Sequence, residues 1–256
     1  MIESSKLHLV VFTGAGISAE SGLATYRDEN GLWMDANLQK LMSVGGYYET
    51  PQRVLDVLNA MRNDCFNAKP NTAHIKIATL EEMFDVTVIT QNVDDLHERA
   101  GSSRVLHLHG VLTQITSSDN RGDKKYIKAY PMNLPINIGD RAADGSQMRP
   151  NVVLFGEYLT NYTDAVEIVK SADVFVIVGT SLKVFPASQI IKYVRSEIPC
   201  FIINPDETVT TGFDDYVVIN EKATKGIEIL SIKLKQIVDR EKSLPKSFVE
   251  CLEKYS

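Results

Sequence analysis

Apolar positions in this chain come in short dense runs separated by longer stretches of helical period. The runs are LHLVVF (7–12), DVTVIT (85–90), NVVLF (151–155), DVFVIVG (173–179), PCFIIN (199–204) and DYVVIN (215–220). Runs this short and this apolar predict strands buried on both faces. Between them TPQRVLDVLNAMRNDCF, NTAHIKIATLEEM, TDAVEIVKSA, PASQIIKYVRSE and TKGIEILSIKLKQIVDREK space their apolar residues for helices. Strands alternating with helices predict an α/β fold around a parallel sheet.

Two regions break the alternation. Residues 28–69 read as loop followed by helix, and 111–150 as polar chain rich in turn residues (SSDNRGD, IGDRAADGSQ). Long weakly patterned insertions form surface lobes or functional loops, so a small second lobe is expected from them. The expected division is a large domain over about 1–27, 70–110 and 150–256, and a lobe over about 28–69 and 111–149. The tail SLPKSFVECLEKYS reads as a short amphipathic helix.

Composition narrows the function. The 256 residues are 44% hydrophobic and carry a net charge of −6, which suits a large core and argues against a nucleic-acid binder. Lys124, Lys125 and Lys128 read as a solvated face. The three cysteines, Cys65, Cys200 and Cys251, form no CxxC pair, so no cysteine zinc site is expected and a reducing compartment is. Nothing resembles a signal peptide or a membrane span, and the expectation is a soluble cytoplasmic protein.

The first strand runs into VVFTGAGISAESG, which sets Gly14, Gly16 and Ala19 at GxGxxA spacing. The first glycine permits a tight turn, and the second lets backbone N–H groups approach a pyrophosphate at a helix N-terminus. The same spacing also suits a strand-to-helix turn with no ligand. A dehydrogenase would next show a second strand ending in an acidic residue. The chain instead reads ATYRDENGLW, a polar loop with Arg27 and the single tryptophan, Trp33.

With GAGISAESGLATYRDENGLW, TQNVDDLHERAG, HLHG, RPNVVLFGE, GTSLKVFPA and INPDE in this order, the chain resembles the sirtuins, NAD-dependent protein deacylases, over roughly residues 7 to 230. The resemblance implies a Rossmann-type large domain, a small lobe made of two insertions, and NAD held between them. It places Gly14, Ala15, Gly16, Ser18 and Glu20 in the cofactor loop. Thr25, Tyr26 and Arg27 match a T-F-R segment with tyrosine in place of phenylalanine, and Trp33 follows. The resemblance also implies that Gln91, Asn92 and Asp94 face the ribose and nicotinamide, with Asp94 binding the nicotinamide amide. Gly179, Thr180, Ser181, Asn204, Pro205, Asp206 and, more weakly, Ala223 serve the adenosine side.

The implied reaction transfers the acyl group of an acyl-lysine protein or peptide to ADP-ribose and releases nicotinamide. The histidine before the glycine, His109, maps to the base, assisted by Asn92, Asp94 and Gln91. A neutral imidazole is the side chain suited to that task near neutral pH. His107 reads as scaffold, and His74 and His97 as helix hydrogen-bonding residues. A metal site at His107 and His109 lacks a third or fourth ligand nearby in sequence. Val153, Phe155, Gly156 and Glu157 are the candidates for pairing with an extended peptide, although Val153 and Phe155 also suit a core. An ADP-ribosyltransferase or NAD glycohydrolase would use the same pocket, and a non-catalytic NAD module is a third class.

Two departures from the family pattern stand out. Most sirtuins carry two cysteine pairs between HG and RPxVVxFGE, and here there are none between Gly110 and Arg149. The lobe is therefore expected to fold without zinc. Sirtuins that favour malonyl or succinyl groups carry Tyr-x-x-Arg on the small-lobe helix. The matching positions here are Leu58 and Met61, with Arg62 one residue later, which implies acetyl or longer apolar acyl groups. These motifs name neither a target protein nor an oligomeric state.

Overall fold

The computed structural model describes residues 6–25 and 35–243. Tyr26, Arg27, Trp33 and the expected tail helix lie outside the described residues. The chain opens with β1 (His8–Thr13) and two 3-10 turns. Three helices follow: α1 (Ala36–Leu41), α2 (Val44–Glu49) and α3 (Pro51–Asn67). The Asp35 and Ser43 side chains accept N–H bonds at the starts of α1 and α2, and Pro51 opens α3. Next come α4 (Thr72–Thr79), β2 (Asp85–Thr90), α5 (Leu96–Arg99) and β3 (Val105–His107). The lobe strands are β4 (Gly110–Ser117), β5 (Lys128–Ala129) and β6 (Met148–Val152). Then α6 (Tyr162–Lys170), β7 (Val174–Val178), β8 (Cys200–Ile203), α7 (Glu207–Thr210), β9 (Val217–Ile219) and α8 (Ala223–Ser243) complete the order.

Six strands form a parallel sheet in the order β3-β2-β1-β7-β8-β9. One face packs under α4 and α8 through Leu9, Val11, Val176, Ile77 and Ile227. The other packs under α6 and the 3-10 stretch Ala187–Tyr193 through Val10, Phe12, Phe175, Val166 and Ile190. Both faces are covered, which is why β1, β2 and β7 read as unbroken apolar runs. The direction of winding reverses between β1 and β7. A crevice therefore opens at their carboxyl ends, where open α/β sheets bind ligands.

A three-stranded antiparallel sheet, β5-β4-β6, makes the core of the lobe. Its apolar cluster joins Met42, Tyr47, Val54 and Leu58 from the first insertion to Leu112 from the second and to Val152 and Leu154 just beyond it. The run NVVLF thus does not add a strand to the parallel sheet. Its first residues close β6, antiparallel to β4, and 153–155 continue as irregular chain. Within PASQIIKYVRSE, Ala187–Tyr193 form a 3-10 helix rather than an α-helix. Among the described residues no helix is long and apolar enough to cross a membrane.

Candidate active site

The crevice is built by two loops pressed together. Gly14 N donates to Val178 O (3.1 Å) and Gly16 N to Gly179 O (2.8 Å). A Cβ on Gly16 would stand 2.7 Å from Gly179 O, and one on Gly14 2.7 Å from Thr180 Cβ. Gly179 has φ +59°, and a Cβ there would meet Ile17 N at 2.5 Å. These glycines are required because two backbones touch. That corrects the reading of the turn. The Gly14 and Gly16 amides serve the loop-to-loop contact, and the short turns Ala15–Ile17 and Ala19–Ser21 replace the expected helix N-terminus.

A cavity of about 790 Å³ fills the crevice and runs on beneath the lobe. Gly14, Ala15, Gly16, Glu20 and Thr25 line it on the β1 side. Gly179, Thr180 and Ser181, then Asn204, Pro205, Asp206 and Ala223, line the opposite wall. Several of these side chains are already tied to the scaffold. Asn204 Nδ2 donates to Thr180 O (3.0 Å) and Gln91 Nε2 to Thr180 Oγ1 (2.8 Å). Asp206 accepts Thr208 N as the cap of α7 (2.9 Å). Glu20 accepts Thr224 N (3.0 Å) and Thr224 Oγ1 (2.8 Å) at the start of α8, where a helix favours a carboxylate.

Gln91 and Asn92 line the cavity, whereas Ser18 and Asp94 are buried behind the wall rather than on it. Ser18 Oγ donates to Asp94 Oδ2 (3.0 Å) and accepts from Asn92 Nδ2 (3.1 Å). His74 Nε2 stands 3.5 Å from the same oxygen. Asn71 N donates to His74 Nδ1 (3.4 Å), which leaves the ring proton on Nε2, facing Ser18. Asp94 Oδ1 accepts Leu96 N (3.1 Å). Burial pushes the Asp94 carboxyl up, and its hydrogen bonds from Leu96 and Ser18 oppose that. His97 Nε2 meets Thr13 Oγ1 at 3.1 Å, and its ring packs edge-on to His74 at 4.9 Å. The two buried histidines thus support both ends of the glycine loop.

The histidines of HLHG separate at a bend, because β3 ends at His107 and Gly110 opens β4 with φ +76°. His109 lines the cavity, and its Nδ1 lies 2.8 Å from Gln91 O. A carbonyl only accepts, so Nδ1 carries the proton and Nε2 keeps a lone pair. Burial holds His109 below the usual imidazole value, with the Gln91 bond opposing. His107 faces away, between Asn92 O (2.9 Å) and Glu98 Oε1 (2.8 Å).

Val153, Phe155, Gly156 and Glu157 line the lobe side of the cavity. Val153 N donates to His109 O (2.9 Å), Phe155 N to Met42 O (3.0 Å) and Val44 N to Phe155 O (3.0 Å). The segment is thus laced to residues 42–44. Glu157 braces it: the carboxylate pairs with Arg149 and with Arg121 Nε (3.1 Å), and accepts Leu154 N (2.8 Å).

The Sir2 family model matches residues 14–186. The chain belongs to the Sir2 family. It is similar to the NAD-dependent protein deacylase of Bacteroides thetaiotaomicron, 44% identical over 232 residues, 90% of this chain and 97% of that one. It is also similar to the NAD-dependent protein deacylase of Helicobacter pylori strain 26695, 41% identical over 227 residues, 89% and 97% of the two chains. Among solved structures, a Sir2 homologue in complex with NAD superposes with a TM-score of 0.79 at 35% identity, covering 91% of each chain. A Sir2–p53 peptide–NAD+ complex superposes with a TM-score of 0.70 at 29% identity, covering 90% of this chain and 94% of the other.

Within this Sir2 fold the two expected acyl-site residues part company. Met61 lines the cavity. Leu58 is fully buried in the lobe core with Val54, Val93 and Leu112, and is absent from the cavity wall. Arg62 is also fully buried. It donates to Leu112 O, Pro131 O (2.5 Å) and Leu134 O (3.3 Å), so its guanidinium is committed to the lobe. Sequence reasoning missed Met42, Val93 and Leu154, which join Met61 on the apolar part of the wall, and Lys183, Val184 and Phe185 at the mouth. The last three stand inside GTSLKVFPA, so that motif carried a signal beyond its first three residues.

The lobe also shows how its ends are joined. Asp144 accepts Ser117 Oγ (2.5 Å), Asn120 Nδ2 (2.9 Å), Ser146 N (3.1 Å) and Ser146 Oγ (2.7 Å), linking the end of β4 to the loop before β6. Among the described residues no group of three or more His, Cys, Asp or Glu is placed to hold a metal ion.

Proposed function

We propose that this chain is an NAD-dependent protein lysine deacylase, acting on acetyl-lysine or longer apolar acyl-lysine in proteins and peptides. The observation that carries the reading is His109: a neutral imidazole with a lone-pair nitrogen, on the wall shared by the cofactor crevice and the 153–157 segment. The residues present fit NAD. The cavity volume of about 790 Å³ is in the range of ligand sites, and it lies where the sheet reverses. The buried Asp94 supports one end, while Asp206 and Ala223 close the other.

Bound NAD supplies the ADP-ribosyl acceptor and the nicotinamide that leaves. Asp94, set behind the wall with Ser18 Oγ and Leu96 N already on its two oxygens, would accept the carboxamide N–H of nicotinamide on a remaining lone pair. Gln91 and Asn92 orient the ribose and a water, each from a side chain whose own amide N–H is anchored to Thr180 or to Gly14 and Ser18. His109 Nε2 removes a ribose hydroxyl proton as general base. Met42, Met61 and Leu154 present an apolar wall to the acyl chain, and none of the three offers a cation to an acyl carboxylate. We assign the large domain and the lobe the division stated above, with the lobe extended to the end of β6. The lobe holds together through Asp144 and its apolar core without zinc. Among the described residues Cys65 and Cys200 are buried and unpaired, which supports a cytoplasmic setting.

The test is nicotinamide release with NAD and an acetyl-lysine peptide. Release that depends on the peptide supports deacylation; equal release without peptide supports the NAD glycohydrolase reading instead.

A further inference from the structure

We propose that His107 is a standing cation beneath the active site, a positioning residue that keeps the buried carboxylate of Asp94 ionised. The proposal rests on the reading above, in which Asp94 receives the nicotinamide amide.

The geometry around the ring decides its charge. Nδ1 lies 2.9 Å from Asn92 O and Nε2 2.8 Å from Glu98 Oε1. A carbonyl and a carboxylate only accept, so both ring nitrogens donate, and only the imidazolium can do that. The His107 side chain is 10% exposed. Burial pulls against the charge, and the Glu98 carboxylate, the Asn92 carbonyl and Asp94 outweigh it and raise His107 above its ordinary value.

Asp94, 6% exposed, lies two residues beyond Asn92, whose carbonyl accepts from His107 and whose side chain reaches Asp94 through Ser18 Oγ. Burial disfavours its ionised form, and the Leu96 N–H, the Ser18 hydroxyl and His107 favour it. The first two are neutral dipoles, and His107 brings the positive charge. Among the described residues the other titratable neighbours do not replace it, and the Cys65 thiol, pushed up to about 12 by burial, stays neutral. Asp95 carries the same sign as Asp94 and pairs with Arg99 at 3.4 Å. Arg99 itself is turned to Cys65 O and Ala68 O. Burial holds His74 near 4 and His97 well below its ordinary value, so both are neutral. The two histidines of HLHG therefore divide the work: His109 must be neutral to take a proton, and His107 must be charged so that Asp94 keeps both oxygens as acceptors.

A histidine that merely pins the loop would not need its charge, and this separates the two roles. Nitrogen NMR of the imidazoles in the ligand-free wild type should show His107 protonated on both nitrogens at pH 7, with its midpoint above 6.5. A singly protonated His107 at pH 7 overturns the proposal. NAD affinity is then measured by calorimetry from pH 5 to 8 for wild type, His107→Gln and Glu98→Gln. The acidic loss of affinity should move to higher pH by about one unit in His107→Gln, and in the same direction in Glu98→Gln, which keeps an acceptor but no charge. A uniform loss of affinity at every pH with an unmoved midpoint overturns it. Should His107→Gln not fold, Glu98→Gln gives the same decision. Wild type that binds NAD with a neutral His107 sinks this proposal alone, whereas wild type that binds no NAD at any pH sinks the crevice reading along with it.

Discussion

His107 and His109 each donate their Nδ1 proton to one dipeptide, His107 to Asn92 O at 2.9 Å and His109 to Gln91 O at 2.8 Å. What differs is the far nitrogen. That of His107 meets Glu98, and that of His109 lies with the residue on the cavity wall. One motif thus places a cationic and a neutral imidazole on either side of Leu108.

The first prediction concerns pH. A base must be unprotonated, and burial holds His109 below 6.5. The acidic limb that His109 contributes to kcat should therefore fall below pH 6.5, with activity lost as pH drops through it. His109→Ala should lower kcat by roughly 10²–10⁴-fold. A kcat limb assigned to His109 above pH 6.5 contradicts this.

A second prediction separates the neighbours on α3. Met61→Arg places a cation on the cavity wall and should shift preference from acetyl toward succinyl peptides, by on the order of tenfold in relative kcat/KM. Leu58→Ala should cost about 2–5 kcal/mol of stability and leave the acyl preference of the folded fraction unchanged. Urea denaturation and an acyl-peptide panel distinguish them.

Glu157 offers a third. Arg149, 1% exposed, pairs with it, and Arg149 Nε and Nη1 find no other hydrogen-bond partner among the described residues. Glu157→Gln breaks a largely buried pair and should cost about 3–5 kcal/mol. The loosened 153–157 segment should raise the peptide KM more than the NAD KM. Equal changes in the two constants would count against the bracing role.

Asp144 supplies the fourth. Hydrogen bonds from Ser117, Asn120 and Ser146 hold its carboxyl well below the usual carboxylate range. A depressed folded value contributes stability above the unfolded pKa, near 3.9, and that stability is lost as pH falls below it. Asp144→Ala should lower Tm at pH 7, and the gap to wild type should close in strong acid. A variant with unchanged Tm at pH 7 means the lobe is held by its apolar core alone.

The sheet was legible because β1, β2 and β7 are covered on both faces, and period alone reports that. Residues 151–155 carry the same apolar signal, yet β6 pairs with β4 in the lobe. Burial shows in the pattern, whereas the partner strand is set by contacts distant in sequence. Leu58 and Met61 share one face of α3 at i and i+3, and only the depth of the lobe core decides which one reaches the cavity. The glycine turn was recognised, but its reason lay with Gly179, a residue that spacing around Gly14 and Gly16 does not reveal. His109 was legible through the resemblance. Its tautomer depends on the Gln91 carbonyl, which no motif displays.

The central claim is tested most directly by mass spectrometry of an acetyl-lysine peptide incubated with NAD and either wild type or His109→Ala. Wild type should yield lysine peptide, nicotinamide and O-acetyl-ADP-ribose in equal amounts, and His109→Ala should yield little or none of the last. Absence of O-acyl-ADP-ribose from wild type with acetyl and longer acyl peptides alike would contradict the assignment.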